Sequence, residues 1–383
     1  MAENKEKKVL NVPNLRFPEF EGEWEECKLG AVAMVVGGGT PDTNNHKYWN
    51  GDIQWFTPSE IGRDKYVTNS LRTISEEGLN KSSAKLLPIG TILLSSRATV
   101  GECSINKVEC TTNQGFQSLI PKEYFSKEFV FYLMQTKRKE LIRKSCGSTF
   151  LEISANEVRK IKIAVPTSKE QEKISKLLAL LDERIATQNK IIEDLKKLKF
   201  AISKKLLDND RWTTYKIQDI AKIGRGRVIS SVEIERQKHP LYPVYSSQTS
   251  NDGIMGYLDD YMFDGEYITW TTDGTNAGTV FYRKGKFNCT NVCGTLKIQP
   301  KYDCYFVSLV LQEATQKYVS FNLANPKLMN NIMASIKIKM PDIEMQKQLS
   351  KIFQTLDSCL LVHQRTCDMY SREKQYLLCQ MFI

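Results

Sequence analysis

The sequence predicts an α+β fold: two globular domains joined by two long helices that pair as an antiparallel coiled coil, with a pseudo-two-fold internal repeat. Three observations carry this. A segment recurs at an offset of 175 residues without a gap. Each copy reads as a short β-branched strand, a proline, then a long amphipathic helix. Before each copy runs a stretch of short strand-like segments broken by Gly, Pro, Asn and Asp. The predicted order is a globular domain over 1–168, a long helix over 169–207, a second globular domain over 208–343 and a second long helix over 344–383.

The globular starts echo each other: Trp24-Glu-Glu-Cys-Lys-Leu29 resembles Trp212-Thr-Thr-Tyr-Lys-Ile217. Strands are expected at 53–56, 91–94 and 116–120, and again at 266–270, 279–282 and 295–298. A helix at about 126–145 has its counterpart near 302–318. Trp55 and Trp270 lie inside strand-like runs and are expected in cores.

In the repeat, Ile161, Lys162, Ile163, Pro166, Gln171, Ser175, Lys176, Leu181 and Asp182 recur as Ile336, Lys337, Ile338, Pro341, Gln346, Ser350, Lys351, Leu356 and Asp357. The prolines end the strands, and Thr167 or Ser168, and Asp342, are expected N-caps. Apolar residues then alternate at three- and four-residue spacing, which marks a coiled-coil seam. The first seam starts Ile174, Leu178, Leu181, Ile185, Gln188 and the second Leu349, Phe353, Leu356, Leu360, His363. A 39-residue helix is about 58 Å long, longer than a small domain needs. Antiparallel pairing about a pseudo-two-fold axis predicts that the midpoint residues Gln188 and His363 face each other. Lys199 and Lys374, also on the seams, are expected to snorkel.

The 383 residues carry 54 Lys+Arg against 44 Asp+Glu, a net charge of +10. A basic excess favours polyanions. It is spread along the chain, with ten basic and six acidic residues at 169–207, so no single basic arm holds it. No apolar run is long enough to span a bilayer, and the charged N-terminus is not followed by a signal-peptide core. The ten cysteines form no Cys-x-x-Cys pair and stand with only three histidines, so neither a zinc site nor a disulfide framework is expected. Unpaired thiols fit a reducing cytoplasm. Phosphate-loop, metalloprotease, nucleophile-elbow and amino-methyltransferase signatures are absent, which argues against catalysis by the chain itself.

Read together, these residues resemble the specificity subunit of type I restriction–modification systems. The resemblance rests on Val12-Pro-Asn-Leu-Arg-Phe-Pro18, Gly38-Gly-Thr-Pro41, Ile53-Gln-Trp-Phe-Thr-Pro-Ser-Glu-Ile61, Ser95-Ser-Arg-Ala-Thr-Val-Gly101, Thr112-Asn-Gln-Gly-Phe116, Gly147-Ser-Thr149 and Glu170-Gln-Glu-Lys-Ile174. In the second half it rests on Tyr242-Pro-Val-Tyr-Ser-Ser247, Gly265-Glu-Tyr-Ile-Thr-Trp270, Asp273-Gly274 and Pro341 with Gln346. One departure is Met345, where the first repeat has Glu170.

The resemblance implies two target recognition domains that each read half of a bipartite site on double-stranded DNA. It implies a helical spacer that sets the unread gap. Two methylation subunits and the restriction/translocase subunits are the implied partners. S-adenosylmethionine, ATP and Mg then belong to those partners, and this chain holds no cofactor or metal. Short polar side chains and arginines on the motif loops suit groove reading. Those expected in the first head are Thr40, Thr57, Ser59, Ser96, Arg97, Thr99 and Gln114. In the second head they are Arg225, Arg227, Ser246, Ser247, Gln248, Thr272, Asp273, Thr275 and Asn276. Arg97 is the leading candidate for direct readout. Two rival readings stay open on sequence alone: a coiled-coil adaptor with two protein-binding heads, and a diverged DNA-modifying enzyme.

Overall fold

A computed structural model describes residues 11–147, 151–206, 211–320 and 325–383. Gly147 lies among these, while Ser148 and Thr149 of the same motif fall outside them. The chain divides into two compact units, residues 1–189 with 365–383, and residues 190–364. Each long helix therefore contributes one stretch to each unit.

In the first unit, strand Glu25–Lys28 pairs antiparallel with Lys162–Val165, just before the repeat proline. A five-stranded sheet runs in the order Ala33–Gly37, Gln117–Pro121, Ile92–Leu94, Cys103–Asn106, Tyr66–Val67. A three-stranded sheet sets Trp49–Phe56 between Arg72–Ile74 and Cys110–Thr112. The second unit repeats the scheme. Thr213–Lys216 pairs antiparallel with Lys337–Met340. A four-stranded sheet runs Ala221–Arg225, Cys293–Ile298, Glu266–Thr271, Val280–Lys284, and Tyr242–Tyr245 lies between Ile254–Leu258 and Asn288–Cys289. The expected strands thus all form, with ends shifted by a few residues. The helix expected at about 126–145 forms as two pieces, Lys127–Thr136 and Arg138–Arg143, and its counterpart is Cys304–Ala314 followed by a 3₁₀ turn. Trp55 and Trp270 are buried, and the Trp270 ring fills the space a side chain at Gly294 would need.

The long helices span Ser168–Leu206 and Ile343–Gln380. Thr167 directly precedes the first, and its carbonyl accepts from Gln171 N; the Asp342 carboxylate caps the second by accepting from Met345 N at 2.9 Å. In each unit the globular core takes the start of its own helix and the end of the other. Ile174 and Leu178 share the first core with Leu377, Leu378, Met381 and Phe382, where Phe382 stacks on Phe129. Leu349 and Phe353 share the second core with Ile202 and Leu206. Within the first unit the stretches run antiparallel, since Asp182 meets Lys374 and Asn189 meets Cys367. Along both helices the seam positions, including Ile185 and Leu360, are buried or half-buried. Gln188 falls in the first unit and His363 in the second.

The seam lysines differ from the snorkelling expectation. Lys374 binds Asp182 at 2.6 Å, and Lys199 binds Asp357. Asp182 also accepts from Tyr132 OH, and Asp357 from Tyr305 OH, each at 2.6 Å. A carboxylate within reach on the facing helix outcompetes water for the ammonium group. Burial, and then the hydrogen bond to aspartate, push both phenols well above the ordinary tyrosine range.

The repeat glutamines do the same work twice. Gln171 donates to the Pro166 carbonyl and accepts from Ser126 N; Gln346 donates to the Pro341 carbonyl and accepts from Asp303 N. Ser126 and Asp303 are the N-caps of the packed helices. Each glutamine therefore fastens strand end, long helix and second helix at one point. Glu170 differs. Its carboxylate, 1 % exposed, takes Nε and Nη2 of Arg16 at 2.8 Å and the Trp24 indole at 3.3 Å. It is the anchor of the arm around residues 11–24, whose Leu15 N also donates to the Gln380 carbonyl. Met345 stands at that position in the second unit and is exposed.

Candidate nucleic-acid interface

The first head gathers most of its expected site residues into one loop cluster. Thr40 Oγ1 donates to Gln114 Oε1 at 2.5 Å. Gly39 N donates to the Thr112 carbonyl, and the Trp55 indole donates to the Gly39 carbonyl at 2.9 Å. That packing is close: a Cβ on Gly38 would stand 2.1 Å from the Asn113 carbonyl oxygen. Thr57 opens a one-turn helix as a capping box, exchanging hydrogen bonds with Glu60, and its hydroxyl lies 3.1 Å from Ser59 Oγ. Thr99 Oγ1 reaches Ser95 Oγ and the Pro58 carbonyl. Ser59, Thr99 and Gln114 are exposed, and Thr40 and Thr57 half-buried.

Ser96 is different. It is fully buried and its hydroxyl finds no partner among the described residues, so its side chain faces the interior. Its backbone ties the loop down, donating to Gly115 O and accepting from Ile153 N. Arg97 projects beside it and pairs with Glu152 at 2.8 Å, both about two-fifths exposed.

In the second head, Arg225 donates to Thr272 Oγ1 at 2.9 Å and Asp273 Oδ2 at 3.2 Å, and Lys327 Nζ stands 3.6 Å from Asp273 Oδ1. Thr272 is fully buried. Asn276 donates to the Ser247 carbonyl at 3.1 Å, joining the 272–276 loop to the loop of Ser246, Ser247 and Gln248. Gln248 closes that loop on the Ile254 carbonyl. Arg227 pairs with Glu233 instead, away from the Asp273 network, and that carboxylate holds its pKa up. Thr275 is exposed.

Four residues outside the sequence-based set shape these loops. Glu152 and Lys327 pair with the loop tips. Arg283, 3 % exposed, lies under the Tyr245 ring and holds Asp252 through both its carboxylate and its carbonyl at 2.8 Å. Asp252 and Asn251 both adopt positive φ there. The 175-residue offset links Glu152 to Lys327 and was a usable signal. Nothing in the sequence joins Arg283 to Asp252 before the sheet does.

In the basic stretches at 137–144 and 196–205, Arg138 pairs with Glu102, Lys144 with Glu140, Lys197 with Glu193 and Lys199 with Asp357. Among the described residues no group of His, Cys, Asp and Glu could hold a metal ion, and no helix is long and apolar enough to cross a membrane.

The chain thus carries two repeated α+β heads, each presenting polar loops and each fed by two long helices. Comparison with known proteins identifies the family. The Type I restriction modification DNA specificity domain matches residues 21–197 and again 209–367, and the chain belongs to that family, with two copies of the domain. The MjaIX type I specificity subunit of Methanocaldococcus jannaschii is 37% identical over 186 residues, 48% of this chain and 43% of that protein. The chain thus aligns with under half the length of that relative. Two putative type I specificity subunits of Mycoplasma pneumoniae, S.MpnORF365P and S.MpnORF201P, are 34% and 37% identical over 60% and 58% of this chain, covering 89% and 95% of theirs. The crystal structure of an S subunit from M. genitalium superposes with a TM-score of 0.69 at 16% identity, covering 97% of this chain and 99% of that one. A chain from a study of complex assembly and conformational transition in the type I R-M system superposes at 0.58 and 14% identity, covering 93% and 96%.

Proposed function

We propose that this chain selects the DNA sequence for a type I restriction–modification assembly. Residues 1–168 and 208–343 each read one half of a split site on double-stranded DNA, and the helices over 169–207 and 344–383 set the gap between the halves. The observation that carries this reading is that one recognition domain occurs twice in the chain, each copy with its own exposed polar loops and each sharing both helices.

Serine, threonine and amide side chains held on short loops suit base edges in the major groove, and arginine grips guanine O6 and N7 with two hydrogen bonds. The net charge of +10 supports phosphate contacts around those loops. In the first head the readers are Thr40, Thr57, Ser59, Arg97, Thr99 and Gln114. In the second they are Arg225, Ser246, Ser247, Gln248, Asp273, Thr275 and Asn276. Buried Ser96 and Thr272 hold the loops from beneath. Two methylation subunits and the restriction/translocase subunits, acting in the cytoplasm, carry the chemistry with S-adenosylmethionine, ATP and Mg. The chain itself supplies recognition and no catalytic group.

The test is to express the chain with its methylation partner in a host lacking adenine methylation and to map modified adenines across the genome. The expected result is one motif of two short sequences around a fixed gap. Absence of any sequence-selective modification by a soluble, co-purifying complex overturns the reading.

A further inference from the structure

The two heads carry the same surface ion pair with its charges exchanged. In the first, Arg97 forms an isolated antiparallel bridge with Glu152, and Glu152 bridges on to Cys146. In the second, Asp273 bridges to Lys327, and Lys327 bridges on to Ser320. The surroundings correspond position by position. Buried Ser96 and Thr272 precede the loop-tip residue. Their carbonyls accept from Ile153 N at 3.1 Å and Leu328 N at 2.9 Å. Ile153 and Leu328 are both completely buried. The next residue adopts positive φ in both heads, +57° at Ala98 and +97° at Gly274. The loop tip thus supplies the cation of the pair in one head and the anion in the other.

The backbone frame does not dictate that polarity, because it accepts both; in the second head Arg225, 3.2 Å from Asp273, favours the anion at the loop tip. All four side chains lie between 28 % and 44 % exposed, where an ion pair adds little to stability. Ala98 meanwhile keeps a backbone conformation that costs energy for a residue with a side chain, a kind of strain that gathers at functional sites. The Arg97 Nε is buried without an acceptor among the described residues.

We propose that this charge-exchanged pair is a specificity determinant in each head. The inference rests on the DNA-reading function proposed above. Arg97 reads a base edge in the first half-site, with Glu152 as its positioning residue. In the second head, Lys327, donated by the other strand of the bridge, is the added reading cation beside Arg225 and Asp273, and Asp273 also holds it in place. The two heads therefore present their cation from opposite sides of the same loop frame, which aims them at different bases.

The experiment uses the complex with the methylation subunit, mapped by genome-wide methylation, with binding measured on duplexes carrying the mapped motif or either half-site scrambled. The variants are R97E/E152R, which keeps the pair but reverses its polarity, R97K, which keeps the charge and loses the two-pronged grip, and K327M, which removes the second head's cation and leaves Asp273 on Arg225. The expected result is an unchanged melting temperature for all three. R97E/E152R and R97K each lose at least tenfold preference for the original first half-site and keep the second; K327M does the reverse. Retention of the original motif by folded R97E/E152R or by R97K overturns the proposal. So does a loss of affinity that is equal for every sequence and lowers the salt dependence, the behaviour of a phosphate contact. A wild-type complex that binds and methylates without sequence preference overturns the DNA-reading function itself, and this inference with it.

Discussion

Lys374, near the end of the second long helix, binds Asp182, near the start of the first, at 2.6 Å, and the same aspartate accepts the Tyr132 hydroxyl. The repeat-related residues Lys199, Asp357 and Tyr305 build the same three-way junction in the second unit. Each junction ties a helix of the head to both long helices. The salt-linked groups are partly buried, about 20 % exposed in the first unit. Substituting Asp182 by Ala removes two hydrogen bonds, one to a charged donor, and is expected to cost about 2–4 kcal/mol. Asp357→Ala should cost a similar amount, and Lys374→Met less, because Tyr132 still has its acceptor. Urea unfolding of the three variants measures this. A neutral Asp182→Ala would mean the junction is an ornament of the helix pair.

Glu170 leads to a second expectation. A buried carboxylate that loses its charge leaves the Arg16 guanidinium, itself largely covered, without its counter-ion. Glu170→Gln is expected to destabilise by about 3 kcal/mol and to free the arm at residues 11–22, seen as faster hydrogen exchange there. Met345→Glu in the second unit should give no matching gain, since that position is exposed. Equal exchange at 11–22 in wild type and Glu170→Gln would remove the anchoring role.

These two cases show what the sequence could and could not convey. The 175-residue repeat was legible because its strand, proline and helix are written in side chains with local meaning: β-branched runs, a helix stop, a three–four apolar rhythm. The seam lysines were legible as interruptions. Their partners were not, because Asp182 and Asp357 each sit one place beyond a seam leucine and only the facing helix makes them relevant. The correspondence of the head loops was only partly legible, for a different reason. The 175-residue offset aligns Glu152 with Lys327, but Ser96/Thr272 and Ala98/Gly274 stand one place off it, and what recurs there is backbone geometry, which tolerates different side chains. The same holds at the glycine turns, where the requirement is space.

Gly38 and Gly226 make that requirement testable. A Cβ on Gly38 would meet the Asn113 carbonyl oxygen at 2.1 Å, and one on Gly226 would meet the Cys289 carbonyl oxygen at 2.1 Å. Backbone cannot swing aside as a side-chain tip can, so the strands beside each loop must part. Gly38→Ala and Gly226→Ala are each expected to cost about 1–3 kcal/mol and to degrade recognition of their own half-site only. Gly22→Ala meets no atom within 4 Å but holds φ at +80°, so its cost is conformational alone, about 1 kcal/mol. Thermal denaturation ranks the three, and a Gly38→Ala protein as stable as wild type would show that the loop rearranges freely.

Arg283 carries the last expectation, because it governs a loop it does not belong to. Its guanidinium, 3.6 Å from the Tyr245 ring centre, holds both the carboxylate and the carbonyl of Asp252, and so fixes two consecutive residues with positive φ, Asn251 and Asp252. Such a turn is costly for non-glycine residues and persists only where its surroundings enforce it. Lysine supplies the charge but neither the planar stack nor the fork. Arg283→Lys should therefore leave the first head untouched and raise hydrogen exchange across residues 246–253. Recognition of the second half-site should weaken about tenfold, which corresponds to about 1.4 kcal/mol. Asp252 is two-thirds exposed and keeps its hydration, and the substituted ammonium keeps the same carboxylate as its counter-ion, so the fold should survive the change. If exchange at 246–253 rises while the second half-site is read as before, the Ser246–Gln248 loop is not a reading loop. The second head's contacts would then be confined to Arg225, Asp273 and their neighbours. If neither changes, Arg283 is a packing residue and its stack on Tyr245 suffices to hold the turn.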